Sequence, residues 1–502
     1  MGTLDYLLLG FNTMLTPGNL FACFAGVFIG TFVGVLPGIG PVGTMAILLP
    51  ITFAMDPTTA IVILAGIYYG TQYGGSTTSI LVNIPGEVGS IVTCLDGYQM
   101  ARKGRAGPAL GMAAMGSFIG GTLSIIGLML LTPPLAKLAI GFGPPELFSL
   151  VLFGLLMVSS IGSGSLVKSL IMAALGIFVS SIGRESIKGF SRFTLGTDTL
   201  SDGVGLVPVA VGMLGIGELL TNMETMPKQE VFKTTVRNLF PNLQDWYASR
   251  WAIIRGTLIG FFLGILPGAG LLMTTFFSYG LEKRLSKHPE KFGTGVIEGV
   301  AAPETANNAA TGGTMVPLFA LGIPPNMVMA MLLGAFIIHG IQPGPFFITD
   351  HPKLFWGIVA SMYIGNVMLL ILNLPLVGMW IQILKIPFSI LNPLIIIFCF
   401  IGVYSLNNNF YELLIMIFFG VVGYLFRKIK YEPAPFILAM VLGPLMETSL
   451  RQSLAISQGD PAIFLQRPFS AVLLIFVFTA MIFLILLRRV RKKRGGEGGR
   501  LV

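Results

Sequence analysis

The sequence predicts an all-α integral membrane protein of about 12 to 14 membrane segments, built as two inverted-topology repeats that each carry a broken or re-entrant polar hairpin. Three observations predict it. Of the 502 residues, 54% are hydrophobic and only 11% are charged, less than half of the roughly 25% that a soluble globular protein carries. Apolar runs recur along the chain, many near the length of about 20 residues that crosses hydrocarbon. A glycine-rich string near the start of the chain returns, altered, past its middle.

In the first half, apolar segments fall at 21–36, 39–55, 58–70, 109–132, 147–161, 166–182 and 205–221. They make residues 1–221 the first transmembrane repeat. Stretch 222–250, with Lys228, Lys233, Arg237, Asp245 and Trp246, is polar and reads as a cytoplasmic linker. Segments 251–266, 269–281, 315–338, 354–380, 387–405, 410–426, 433–449 and 469–487 make 251–487 the second repeat. Residues 488–502 form a basic tail. No basic region precedes the first apolar run, so no cleavable signal peptide is expected.

The repeat rests on several matches in the same order. Residues 26–40, GVFIGTFVGVLPGIG, and 256–270, GTLIGFFLGILPGAG, agree at nine of fifteen positions. Gly74-Gly75-Ser76 matches Gly312-Gly313-Thr314, and Ile84-Pro85 matches Ile323-Pro324 after one inserted residue. Leu170-Ile171-Met172 with Gly176 matches Leu414-Ile415-Met416 with Gly420; Pro208 pairs with Pro435 and Glu218 with Glu447. The charged loops supply orientation. After its first hairpin, half one has only Met55-Asp56-Pro57, whereas half two has the basic loop 282–291; after the glycine-rich stretch the bias reverses, to 101–105 against 340–353. Equivalent loops are therefore expected on opposite sides, with the linker and the tail both cytoplasmic. Arg184, Lys188 and Arg192 then fall outside, against the bias.

The net charge of +9 does not point to nucleic acid, because the basic residues sit in short clusters between apolar runs. The three cysteines, Cys23, Cys94 and Cys399, form no CxxC and no disulfide framework. His288, His339 and His351 lack metal-ligand spacing. A Walker A motif and a GxSxG elbow are both absent. No catalysis and no cofactor are expected.

Gly26, Gly30 and Gly34, like Gly256, Gly260 and Gly264, recur every four residues, which places them on one helix face for close packing. The Leu-Pro-Gly-x-Gly at 36–40 and 266–270 ends each helix. Two stretches, 71–90 and 299–326, are rich in hydroxyls, amides and helix breakers yet nearly free of charge. They are expected to unwind at membrane depth, where irregular backbone survives only inside protein or along a wet cavity. Broken helices offer N–H groups that suit a carboxylate and carbonyls that suit Na⁺. The candidate substrate- or ion-binding residues are Gly74, Gly75, Ser76, Thr77, Thr78, Ser79 and Asn83 in half one. In half two they are Glu304, Asn307, Asn308, Thr311, Gly312, Gly313, Thr314 and Asn326, with Na⁺ placed near Ser76, Asn83, Asn307 and Thr314. Glu304 reads either as a coupling carboxylate or as a cap for a helix starting near Thr305. Glu218 and Glu447 read as interfacial.

The strings Tyr69-Gly70-Thr71-Gln72-Tyr73-Gly74-Gly75-Ser76-Thr77-Thr78-Ser79-Ile80-Leu81, Asn83-Ile84-Pro85-Gly86-Glu87 and Leu95-Asp96-Gly97-Tyr98-Gln99-Met100-Ala101-Arg102-Lys103-Gly104 stand in half one. Half two has Gly299-Val300-Ala301-Ala302-Pro303-Glu304, Asn307-Asn308-Ala309, Leu321-Gly322-Ile323-Pro324 and His339-Gly340-Ile341-Gln342-Pro343-Gly344-Pro345. These resemble the large membrane subunit of the tripartite tricarboxylate transporter family and, more distantly, elevator-type carboxylate transporters. The resemblance implies a permease of the bacterial inner membrane, driven by a Na⁺ or H⁺ gradient, that imports di- or tricarboxylates by symport. It implies a small membrane subunit and a periplasmic solute-binding protein as partners, and it allows a homodimer. A stand-alone carboxylate symporter is the alternative. Gly322-Ile323-Pro324-Pro325-Asn326 departs from the family's usual Gly-Ile-Pro-Gly-Ser, so citrate itself is not implied.

Overall fold

A computed structural model describes residues 2–36, 40–161, 166–185, 189–197, 200–225, 239–268, 270–383 and 388–479. The basic tail, residues 226–238 of the linker and much of the Leu36-to-Gly40 turn lie outside the described residues. In chain order the helices are α1 (Thr3–Met14), α2 (Pro17–Val35), α3 (Gly40–Thr52), α4 (Pro57–Val82), α5 (Thr93–Arg102), α6 (Ala106–Ala139), α7 (Pro144–Ile161) and α8 (Leu166–Ser180). Next come α9 (Leu206–Ala210), a π-helical turn (Val211–Ile216), α10 (Gly217–Thr225), α11 (Leu243–Ile265), α12 (Gly270–Leu285), α13 (Glu298–Leu321) and α14 (Met327–Ile338). The chain continues through α15 (Phe347–Asp350), α16 (Pro352–Asn373), α17 (Val377–Ile383), α18 (Phe388–Asn407), α19 (Phe410–Lys428), α20 (Ala434–Ile456) and α21 (Ile463–Gln466). The one sheet among the described residues is a two-residue ribbon, with Gly183 opposite Arg192. Five described helices are long and apolar enough to span a membrane, and seven shorter ones are apolar. The all-α membrane fold stands.

Two compact units form, and each draws on both sequence halves. One comprises Met1–Ile140 with Gly205–Pro433, the other Gly141–Val204 with Ala434–Val502.

In the first unit, α2 lies against α4 and α11 against α13, and the glycine strips are the reason. A Cβ added at Gly26 would stand 2.5 Å from the Ile63 carbonyl oxygen, and one at Gly30 would stand 2.6 Å from that of Ile67; one at Gly34 would strike that of Thr71. In the other pair, Gly256 and Gly264 would meet the carbonyls of Ala302 and Ala310 at 2.8 and 2.7 Å, and Gly260 would strike that of Ala306. Only a missing side chain permits such backbone approach. The two contacts share one register: Ile63 corresponds to Ala302, Ile67 to Ala306 and Thr71 to Ala310. The same register carries Asn83 onto Gly322 and Glu87 onto Asn326 without a gap, so Gly74 corresponds to Gly313 and the inserted residue is not needed.

The stretches expected to unwind are mostly helical. Helix α4 runs through residues 71–82, and α13 runs through 301–321. The breaks are confined to about 83–87 and 322–326. In hydrocarbon every backbone group needs a partner, and the helix supplies one despite poor propensities. The hydroxyls fold back onto it: Thr71 Oγ1 donates to the Tyr68 carbonyl at 2.8 Å, Thr311 Oγ1 to Asn308 at 2.6 Å and Thr314 Oγ1 to Thr311 at 2.9 Å. Both helices stop on a left-handed residue, Asn83 at φ 60° and Gly322 at φ 71°, a conformation that Asn and Gly tolerate best. Pro85 and Pro324 follow, neither able to donate to a continuing helix.

Loops of the two halves meet crosswise. Buried Asp96, on α5, accepts from the N–H groups of Gly293, Gly295 and Val296 at 2.6–3.0 Å and from the Tyr279 hydroxyl at 2.8 Å. Lys103 Nζ donates to the Thr294 carbonyl at 2.6 Å. At another corner, His339 lies beside Thr52 and Asp56.

In the second unit, α20 packs on α8 where Gly176 faces the Phe436 carbonyl. Arg192 grips both oxygens of Glu447 at 2.6 and 3.1 Å, and Arg451 bridges Glu447 and Glu185. The Arg192 charge that ran against the loop bias is thus paired; Lys188 lies outside the described residues. In the first unit Glu218 similarly meets Arg427 at 3.3 Å.

Candidate substrate and ion site

Where α4 and α13 meet, with α5, α6 and the 83–92 turn around them, polar side chains gather in an otherwise apolar interior. Glu304 is fully buried. Ser76 Oγ donates to its Oε2 at 2.5 Å, and Thr93 Oγ1 donates to its Oε1. The Ser117 hydroxyl, from α6, faces the same carboxylate. Because α13 begins at Glu298, Glu304 lies well inside the helix, and the expected cap at Thr305 does not form.

Beside it lies a second buried carboxylate, Glu87. Its Oε2 accepts from Gly89 N–H at 2.6 Å, and its Oε1 accepts from Asn307 Nδ2 at 2.9 Å. With its amide turned to donate, Gln72 reaches Glu87 Oε1 at 3.1 Å and Asn307 Oδ1 at 3.0 Å. Among the described residues neither carboxylate is in an ion pair. No group of three or more His, Cys, Asp or Glu among them is placed to hold a metal. An unpaired charge in this setting is costly.

Helix-by-helix register relates two contacts. Glu87 caps the short 3₁₀ turn Val88–Ile91 and meets Asn307. Its counterpart Asn326 caps α14, accepting from Met329 N–H at 2.9 Å, and its side chain faces the Tyr68 hydroxyl. Tyr68 in turn corresponds to Asn307, and its hydroxyl stands 3.3 Å from Thr314 Oγ1. Each returning hairpin is latched to the opposite arm by the same pair of positions, once through a carboxylate and once without charge.

The sequence candidates separate by their surroundings. Ser76, Glu304, Asn307, Asn308 and Thr314 join the cluster; Asn308 Nδ2 donates to Ser117 Oγ at 2.7 Å. Gly74, Gly75, Gly312 and Gly313 face protein: an added Cβ at Gly75 would come 2.8 Å from Glu87 Cγ, and Gly312 faces the Ser124 side chain. Thr78 Oγ1 donates toward the end of α2, at 3.2 Å from the Val35 carbonyl, and Ser79 donates to Ser90 at 2.9 Å. Thr77 and Thr311 are buried, whereas Asn83 is exposed at the α4 terminus. The sequence reasoning passed over Glu87, Gln72, Thr93, Ser117 and Tyr68. Glu87 carried a signal, as a lone acid at the end of a charge-free stretch; an isolated Ser in α6 carried none.

Comparison with known proteins places the chain. The model of the tripartite tricarboxylate transporter TctA family matches residues 20–438. An uncharacterized 52.8 kDa protein in the TAR-I ttuC' 3' region of Agrobacterium vitis is 49% identical over 98% of both chains. An uncharacterized protein in the TAR-II ttuC' 3' region of the same organism is 51% identical over 47% of this chain and 97% of its own length. No solved structure matches.

Proposed function

This chain belongs to the tripartite tricarboxylate transporter TctA family, and from that premise we propose that it is the large permease subunit of a binding-protein-dependent secondary transporter, importing organic di- or tricarboxylates with a Na⁺ or H⁺ gradient. Its partners are then a small membrane subunit and a periplasmic solute-binding protein. It resides in the bacterial inner membrane with its basic tail in the cytoplasm, and its repeats are inverted, as the crosswise loop contacts favour.

One observation carries the proposal: two buried carboxylates, Glu87 and Glu304, share the cluster without a basic partner among the described residues. A polycarboxylate reaching them meets like charge. At 4 Å one such pair repels by about 4 kcal/mol at an effective dielectric constant of 20. A bound cation removes that penalty, and by linkage the anion then favours the cation equally. The charge balance supports symport. Hydroxyls and amides, including Asn307, Asn308, Thr314 and Asn326, receive the anion.

The test is uptake of labelled citrate and a panel of di- and monocarboxylates into spheroplasts expressing this chain with its small subunit. Each run is made with and without added binding protein, under an imposed Na⁺ or H⁺ gradient. Gradient-driven uptake that needs the binding protein is expected. Uptake without it would move the chain to the stand-alone symporters, and no uptake of any carboxylate would remove the substrate class.

A further inference from the structure

The two carboxylates differ in what surrounds them. Glu87 faces N–H donors: Gly89 N–H at 2.6 Å, Asn307 Nδ2 at 2.9 Å and the Gln72 amide at 3.1 Å. Such donors satisfy an anion and have no lone pair to offer a cation. Glu304 faces only hydroxyls in its side-chain contacts, Ser76 and Thr93 as donors with Ser117 alongside. A hydroxyl donates to a carboxylate, yet it presents oxygen lone pairs once its O–H rotates. Ser76 has a place to rotate to, since the Gln72 carbonyl stands 3.1 Å from its Oγ. Ser117 already accepts from Asn308 Nδ2 at 2.7 Å, so Asn308 fixes where its oxygen points.

We infer that Glu304 seats one sodium ion per chain, ligated by its carboxylate oxygens and by the hydroxyl oxygens of Ser76, Thr93 and Ser117. The inference rests on cation-coupled transport and locates the cation. Three hydroxyls brought from α4, α5 and α6 onto one carboxylate form an oxygen-only shell of the sort hard cations take. A proton needs one acceptor and no such convergence. The repeat register makes this shell single: Ala65 stands opposite Glu304 and Met315 opposite Ser76, so the equivalent positions cannot form a second copy. Glu87, held by N–H groups, serves as a latch.

The experiment is thermal unfolding of the purified full-length chain in detergent at fixed pH. Sodium chloride is titrated against choline chloride at constant ionic strength. Sodium is expected to raise the melting temperature of wild type and of Glu87→Gln. Glu304→Gln should lose the response while melting in choline at or above the wild-type temperature, because it removes a buried charge. Thr93→Ala and Ser117→Ala should each weaken the apparent sodium affinity on the order of tenfold. A sodium response that survives Glu304→Gln would overturn the assignment. So would a wild type that ignores sodium but shifts with pH, which would give the carboxylate a proton. This readout needs no transport: sodium binding without carboxylate uptake would leave the inference standing and remove the carboxylate substrate class.

Discussion

Asn307→Ala strips Glu87 of an amide donor and leaves a buried carboxylate short of one partner. The lost bond, Asn307 Nδ2 to Glu87 Oε1 at 2.9 Å, goes to a charged acceptor, where a hydrogen bond contributes about 1.5–3 kcal/mol. Gln72 loses Asn307 Oδ1 as well, 3.0 Å from its amide nitrogen, which adds about 1 kcal/mol. The variant should therefore be destabilised by about 2.5–4 kcal/mol. The pairwise part is separable by a double-mutant cycle with Glu87→Ala, read by equilibrium unfolding in mixed detergent micelles. A coupling of about 1.5–3 kcal/mol is expected. Single effects that simply add, within about 0.5 kcal/mol, would show that the two side chains do not hold each other, and the latch would be refuted.

Other outcomes follow from the same contacts. Gly30→Ala and Gly260→Ala should each destabilise by about 1–3 kcal/mol through overpacking, while Gly280→Ala, with nothing within 4 Å, should be neutral or stabilising by up to about 1 kcal/mol; the same unfolding assay checks all three. Asp96→Asn loses acceptor capacity for the loop before α13, so trypsin cleavage at Lys287 and Lys291 in inside-out vesicles should quicken about tenfold or more; an unchanged rate would mean the loop is held elsewhere. Asn307→Ala combined with Asn308→Ala should abolish uptake when uptake is normalised to the amount of protein in the membrane, which will itself fall; normal uptake per molecule would remove both from the site.

The membrane class and the glycine strips were legible because each depends on one short-range property, composition in the first case and a four-residue period in the second. Gly30 and Gly260 lie where the period put them, under Ile67 and Ala306. The state of 71–82 and 301–321 was not legible. Gly, Ser, Thr and Asn favour irregular backbone in water, but in hydrocarbon the helix is the cheaper way to satisfy the backbone, and a hydroxyl such as Thr311 bonds back to its own helix. Thr93 and Ser117 reach Glu304 from distant parts of the chain, and no local pattern announces a partner. The repeat was readable in its strings, yet its ungapped register emerged only from which carbonyl each glycine covers.

One helical period arranges both tasks on α4. Ile63, Ile67 and Thr71 turn their backbone toward α2, while Tyr68, Gln72 and Ser76, also four apart, form a second strip toward the polar cluster. Residues four apart share a face, and a shift of one position turns that face by about 100°. Helix α13 does the same, with Ala302, Ala306 and Ala310 against α11 and Glu304, Asn307 and Asn308 toward the cluster. The glycine contacts therefore fix the rotation of each arm, and with it the position of the polar strip. Because the apolar strips match between halves while the polar ones do not, the scaffold repeats and the chemistry does not. The two hairpins keep equivalent latches, whereas the hydroxyl shell of α4, α5 and α6 around the α13 carboxylate Glu304 has no counterpart.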